Sequence, residues 1–567
     1  MAKKTKSVRG AEKPRQNTPL VFLLLILIPL FGGYYLFSVF LTGAALALLL
    51  LHTAWRSGAV RLPVGPEAWC LYILAGCTLL AVPFAVSAGM AFAGTRRLAV
   101  WGLFFLYAST YSPRERADIL DAVAYEGAIL SLITIAAFLY DAAAGIDDPN
   151  GRIDGLFQYA NTWSLYLLIC LILLILREKR RALDWPAMAV LLCGIYLSGS
   201  RGVFLLLLPL ALVWGWRQLA RRRDVKTVAA AAAAAVSIGA LATVLSGGLE
   251  LGRRRAITLT SSSLNGRLLY CIDGLKMLLR HPLGVGYGGY LYLQPLEQTG
   301  VYILRFIHNE YLQAALDGGL PAGLCMAGLC AAMLFRKNVS ARERAVVFAV
   351  AAHALIDFDL QFSAVAFLLL LCGCGGRYRE IVPRRRRASA ALCAVCALVF
   401  GYFSAVYLLD FFNRPAAAYA LFPADLSLAE KRLQSFPDVE SAEPVADAII
   451  ASTDLSMLAW DCKLAAAARR ADVSAMAEYK YQYLRLNRYR GEVYEDFTAL
   501  LENACVQGSD PELVRYKILA QTVITQLEEV NRTTSFLAYR IADQPELDFS
   551  PRINTRLNQI IERIDNS

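Results

Sequence analysis

Charge is scarce in this chain. Asp, Glu, Lys and Arg make up 18% of its 567 residues, against about 25% in ordinary soluble domains. That shortage excludes a typical cytosolic enzyme, and it equally excludes a disordered or fibrous chain. Histidine is scarcer still, with four in all: His52, His281, His308 and His353. The first two have no polar partner nearby in the sequence and read as structural. Cysteine is not short, at thirteen, but a metal or disulfide pattern is. The close pairs Cys372/Cys374 and Cys393/Cys396 sit inside apolar runs, where cysteine serves as a small packing residue. A nucleotide-binding glycine loop is missing too. The segment GVGYGG at 284–289 follows no strand, and its glycines suit a turn or a close chain approach.

What fills the chain instead is apolar. Hydrophobic residues reach 57%, and the mean hydropathy is +0.45. This is the composition of a polytopic membrane protein with a less apolar part attached. The net charge of +11 hides an asymmetry. Residues 410–567 hold 17 basic and 24 acidic residues, a net of −7, so residues 1–409 carry +18. An acidic tail repels phosphate backbones, so nucleic acid is not a partner.

A bilayer-crossing helix needs about 20 apolar residues. Residues 20–54 form one long run that breaks at Gly32-Gly33 into two helices. Further runs lie at 67–87, 95–111, 117–140, 157–176, 186–198, 202–216, 227–246, 307–335, 345–357, 361–376 and 388–409, about thirteen spans in all. The first run is too long for a signal peptide and lacks a small-residue cleavage site. Positive charge marks the cytoplasmic side. The basic N-terminus, residues 1–19, Arg-Glu-Lys-Arg-Arg at 177–181, and the runs Arg221–Arg223 and Arg384–Arg387 all fall on inner segments of a thirteen-span path. Only Arg96 and Arg97, on an expected outer turn, misfit. The predicted fold is therefore all-α: a multi-pass domain over 20–410 in the cytoplasmic membrane, N-terminus inside, with a long outer loop at 247–306. An extracytoplasmic helical domain follows at 411–567. Its helix-like segments, 426–435, 441–452, 456–470, 473–487, 491–506 and 511–530, suggest TPR-like hairpins, although no 34-residue period stands out. Tyr- and Arg-rich residues 478–497 fit a helix-packing stripe better than a carbohydrate platform.

This path gathers unusual polar residues on the outer face. Arg152 and Asn161 lie at 150–163, Arg201 in a four-residue gap between apolar helices, Arg267 and His308 in or beside the long loop, and His353 and Asp357 at 353–361. Arginine in or against a membrane is costly. Snorkelling explains one of them, but three on one face beside two histidines suit a multiply charged anion, because guanidinium forks grip phosphate and stay charged. His353 and Asp357, four residues apart, or Asp357-x-Asp359, echo a metal-binding pair. A structural role at a helix end is the stronger reading, so no metal and no cofactor is assigned.

The ordered motifs Arg-x-x-Gly-Leu-Phe…Asn (152–161), Ser-Gly-Ser-Arg-Gly (198–202), Asn-Gly-Arg (265–267), His-Pro-Leu-Gly-x-Gly (281–286), His-Asn-Glu-Tyr-Leu-Gln (308–313) and His-x-x-x-Asp-Phe-Asp (353–359) resemble the O-antigen ligase and polymerase superfamily. The resemblance implies a GT-C-like membrane glycosyltransferase. Such an enzyme moves a glycan, without a metal, from an undecaprenyl-pyrophosphate carrier to an acceptor hydroxyl at the outer membrane face. It implies that Arg201 and Arg267 hold the pyrophosphate and that His308 activates the acceptor. Arg152, Asn161, Asn309, Glu310, His353 and Asp357 are then substrate-binding, with Glu310 a second candidate base. The implied partners are the lipid-linked donor, a glycan, lipid or protein acceptor, membrane lipids, and proteins recruited by the C-terminal domain. Two competing readings are a flippase for the same lipids and a non-catalytic scaffold.

Overall fold

The computed structural model describes residues 18–57, 60–144, 151–220, 262–337, 339–381 and 386–566. The expected span at 227–246, the Arg221–Arg223 run, residues 384–385 of the other basic run, residues 247–261 of the outer loop and nearly all of the basic N-terminus lie outside the described residues.

The described membrane part begins with α1 (Thr18–Leu27), α2 (Leu36–Ser57), α3 (Pro66–Leu80), α4 (Ala88–Ala108), α5 (Pro113–Ala143), α6 (Ala160–Ile175), α7 (Asp184–Ser198) and α8 (Arg201–Ala220). It continues with α9 (Ser262–Arg280), α10 (Gly289–Glu297), α11 (Glu310–Gly318), α12 (Leu320–Leu334), α13 (Ala341–His353), α14 (Ser363–Gly373) and α15 (Arg386–Phe411). The expected break in the first apolar run is present, with positive φ at Phe31, Gly32 and Gly33 between α1 and α2. Helix starts follow local chemistry. Ser112 with Glu115 and Ser340 with Glu343 form reciprocal capping boxes at α5 and α13.

Among the described residues, four helical segments are long and apolar enough to cross a membrane: Leu36–Trp55, Pro66–Phe84, Pro113–Ala143 and Arg387–Phe411. Five shorter apolar helices accompany them, including Ala160–Ile175 and Ser363–Gly373. The protein is thus a helical, multi-pass membrane protein. Its buried core runs through α6 and α14, whose side chains are almost all enclosed from Trp163 to Leu174 and from Ala364 to Cys372. This explains their near-continuous hydrophobicity, since each helix is surrounded on every side.

Two expectations are corrected. The run 307–335 is not one span. It divides at Gly319 into α11 and α12, and its first residues, 307–309, precede the helix. Arg96 and Arg97 occupy no turn but lie inside α4. Arg97 is buried, donates to the Gln361 side chain and sits over Trp101 and Tyr287. Arg96 lies 3.5 Å from the Phe403 ring centroid, so aromatic faces stand in for water around both charges. The described residues also carry one short antiparallel pair, β1 (Val60–Pro63) with β2 (Tyr378–Ile381).

The C-terminal part is helical, as expected: α16 (Pro415–Leu421), α17 (Leu426–Gln434), α18 (Val439–Ser452), α19 (Met457–Arg469), α20 (Val473–Arg485), α21 (Gly491–Gln507), α22 (Asp510–Thr533) and α23 (Ser550–Asp565). Side chains of Asp425, Asp438, Ser456 and Asp472 cap α17 to α20. Sequence reading gave no helix for α16 or α23. The domain is docked, not tethered. Met90 and Tyr292 join Leu426, Ala429 and Leu433 in one apolar cluster. Leu269 and Tyr302 join Leu537, Ala538 and Ile541 in another.

Candidate active site

Asp357 lies in the loop between α13 and α14, and it is fully enclosed. A bare carboxylate is expensive to bury, so it must be met by donors. Five meet it. Tyr159 donates its hydroxyl to Oδ1 at 2.8 Å. Asn161 donates Nδ2 to Oδ2 at 2.8 Å. Arg267 donates Nη2 to Oδ2 at 2.9 Å. His308 places Nδ1 3.1 Å from Oδ1, and the Phe358 backbone N–H completes the set at 3.0 Å. Burial alone would raise this carboxyl's pKa. The His308 hydrogen bond and the positive charge of Arg267 outweigh it and hold the group well below the usual carboxylate range.

The side-chain donors arrive from three parts of the chain: Tyr159 and Asn161 at the start of α6, Arg267 on α9, and His308 just before α11. Asn161 is in the first turn of α6, and its Oδ1 accepts from Arg152 Nη2 at 2.7 Å. Arg152 also donates Nε to the Ser198 carbonyl at the end of α7, at 2.7 Å. Gly199 follows with φ +63°, a left-handed turn that ends α7 and starts α8 at Arg201. Behind it, a Cβ on Gly202 would stand 2.8 Å from His353 Nε2, so only glycine lets α8 approach this closely. The three arginines converge. Burial lowers the Arg152 pKa first, Asp357 opposes this, and the nearby charges of Arg267 and Arg201 add to the lowering.

His308 precedes α11 and keeps its side chain 16% exposed, while Arg267 is 21% exposed. Both reach outward from a carboxylate that does not. Aromatic rings flank the site: Phe358 lies 5.2 Å from the His308 ring and 4.6 Å from Tyr159, and Tyr270 lies 6.1 Å from His308. On the outer side, Arg201 and Tyr270 line a cavity of about 570 Å³ with Tyr302, Ser262 and Asp543.

Of the residues singled out from sequence, Arg152, Asn161, Arg267, His308 and Asp357 form one connected network, and Arg201 stands beside it. Three others face elsewhere. Asn309 caps α11, accepting from the N–H groups of Tyr311 and Leu312. Glu310 is 1% exposed and accepts from the Gln361 backbone and side chain, both at 3.0 Å. His353 is equally enclosed, with Nδ1 2.5 Å from Asp359 Oδ2, and Thr162 donates to the other Asp359 oxygen. The echoed metal pairs dissolve accordingly. α13 stops at His353, so His353 and Asp357 share no helix face, and each carboxylate takes a different histidine. No group of three or more His, Cys, Asp or Glu residues poised to share an ion occurs among the described residues. Tyr159, Tyr270, Tyr302 and Asp543 join the site unannounced. Only Tyr159 carried a signal, its place between Arg152 and Asn161.

Residues 186–327 match the family described as O-Antigen ligase. The matched segment contains Arg201, Arg267 and His308, and it supports placing the chain in the O-antigen ligase and polymerase superfamily. No curated protein matches the chain. The family is one of glycosyltransferase-like enzymes that work in a membrane on lipid-linked glycans.

Proposed function

We propose that this protein transfers a glycan from an undecaprenyl-pyrophosphate carrier to an acceptor hydroxyl at the outer face of the cytoplasmic membrane. The observation that carries the reading is the Asp357 network, which ties His308 to Arg267 beside Arg152 and Arg201. A C-terminal domain outside the membrane, on the same side as the site, belongs to the same proposal.

In this reading Asp357 accepts from Nδ1–H of His308, which leaves the Nε2 lone pair to act as base. The acceptor O–H gives its proton to Nε2 as its oxygen bonds to the anomeric carbon. The bond from that carbon to the diphosphate oxygen breaks, and the diphosphate departs with the electron pair. Arg201 and Arg267 face the charge that grows on it, in the manner of preorganised donors. Arg267 spends one N–H on Asp357, and a guanidinium has five.

The flippase reading calls for charges along a path through mid-membrane. Here Arg152, Arg201, Arg267 and His308 gather at one end of α6 to α8, which favours chemistry at one face. The test is glycan transfer from a lipid-linked donor by Arg201→Ala, Arg267→Ala and His308→Ala proteins whose folding and insertion are intact. Each should lose at least about 100-fold in rate, and chelator should leave the wild type unchanged. Full activity in all three variants overturns the mechanism.

A further inference from the structure

The cavity beside Arg201 does not end at the membrane domain. A second cavity, of about 590 Å³, lies between the segment Pro295–Ile303 and the C-terminal helices α19 and α20 with the loop that follows α20. Val301, Tyr302, Ile303 and Asp543 line both. The two spaces therefore meet along one ridge, and each falls within the roughly 300–1,000 Å³ of typical ligand sites. The ridge is firmly held. Asp273 accepts from the Thr299 N–H, the Thr299 hydroxyl and the Tyr302 hydroxyl, each at 2.8 Å. The C-terminal domain clamps the same segment from outside, through Ser535 N–H to the Thr299 carbonyl at 2.9 Å and Arg488 Nη1 to the Leu296 carbonyl at 2.8 Å.

From this we infer that the joined trough binds a chain of sugar units and leads it from the candidate active site across the C-terminal domain. The inference rests on the glycosyl-transfer reading above and adds the binding site for the glycan itself. Three observations carry it. The inner end opens at Arg201 and Tyr270, the latter against His308. The wall alternates tyrosines, Tyr302, Tyr483 and Tyr489, with the hydrogen-bonding side chains of Gln298, Asp461 and Asn487. Such a mixture suits a polyol, because ring faces cover sugar C–H surfaces while carboxylates and amides take the hydroxyls. Finally, Ile303 stands 71% exposed where the two cavities meet, an apolar surface in the trough rather than in a core. The Tyr- and Arg-rich stretch read from sequence as a packing stripe thus has a second face, with Tyr483, Asn487 and Tyr489 turned toward the trough.

The test uses the full-length protein in detergent micelles. The probe is the cell's own glycan, two or more repeats long, released by mild acid from the lipid-linked pool of cells that lack the gene. Wild type and His308→Ala should bind it with the same Kd. Asp461→Ala combined with Tyr489→Ala should weaken binding at least fivefold. Ile303→Trp, which fills the trough without removing a packed side chain, should do the same. In transfer assays the trough variants should raise KM for long glycans and leave the rate with a single repeat unit unchanged. Equal binding by wild type and both trough variants, or no binding by wild type, overturns the trough. Neither outcome touches the roles of Arg201, Arg267 and His308, which the alanine series tests separately.

Discussion

Asp357 Oδ1 lies 3.1 Å from Nδ1 of His308, and the two residues are 49 positions apart on different elements. The contact fixes which imidazole nitrogen faces outward. If the carboxylate serves to hold that tautomer, Asp357→Asn keeps the shape and loses the function. The amide can present its N–H to Nδ1, which would turn the wrong nitrogen toward the acceptor. We expect transfer to fall by about 100-fold or more, as when a catalytic base is lost, with donor binding kept within about threefold because the arginines remain. Initial rates and donor KM, measured side by side with His308→Ala, check this. A His308→Ala protein that retains wild-type kcat removes the base from the scheme.

The same carboxyl makes stability depend on pH in a definite direction. Its folded pKa lies below its unfolded value of about 3.9. Stability from this group is therefore fully present above the unfolded value and is lost as pH falls toward and through the folded one. The melting temperature of the purified wild type should drop between about pH 5 and pH 2 more steeply than that of Asp357→Asn, which has no carboxyl to protonate. Identical curves would show that Asp357 titrates alike in the folded and unfolded chain.

Glu310 offers a contrast. It was the second candidate base from sequence, yet it is enclosed and bonded to Gln361, which in turn accepts from Arg97. Glu310→Gln should leave transfer per folded molecule within about fivefold of wild type. The larger effect should be on stability, where leaving one of the two buried Gln361 donors without its acceptor costs about 1–3 kcal/mol. A melting curve together with an activity assay separates the two. A fall of 100-fold in kcat with unchanged melting temperature would restore Glu310 to the chemistry.

Much of this arrangement was legible in the sequence. Long apolar runs located most helices of the membrane part to within a few residues, since such a run is a local signal. The sequence reading pooled Arg152, Asn161, Arg267, His308 and Asp357 by assigning their loops to one face, and the structure joins the five in one hydrogen-bonded network. Which residue meets which was not legible. Asp357 is joined to Tyr159, Asn161 and Arg267 across 198, 196 and 90 positions, and no local pattern encodes such pairings. Three residues of the sequence reading stand outside the network for one reason. Asn309, Glu310 and His353 are polar residues beside functional ones, and sequence cannot tell a side chain that faces a cavity from one that caps a helix or closes a buried network. Arg96 and Arg97 were misread as a turn because their aromatic partners, Phe403 and Tyr287, are remote in the chain.

The one-face arrangement is itself open to a direct test. α6 runs from Asn161, at the site, toward Arg177. Its sixteen residues rise roughly 24 Å, most of the roughly 30 Å thickness of a bilayer core. At the far end Arg177 pairs with Asp121 and with Asp184, while the Arg181 side chain stands 62% exposed. Ile303, at the site end, is 71% exposed. Cysteines introduced singly at 303 and 181, in a background with the native cysteines replaced, should label from opposite sides of the membrane with an impermeant maleimide. Position 303 should react in intact cells and position 181 only after lysis. Labelling of position 303 only after lysis would place the arginines and His308 on the cytoplasmic side, where no outward-facing transfer can occur.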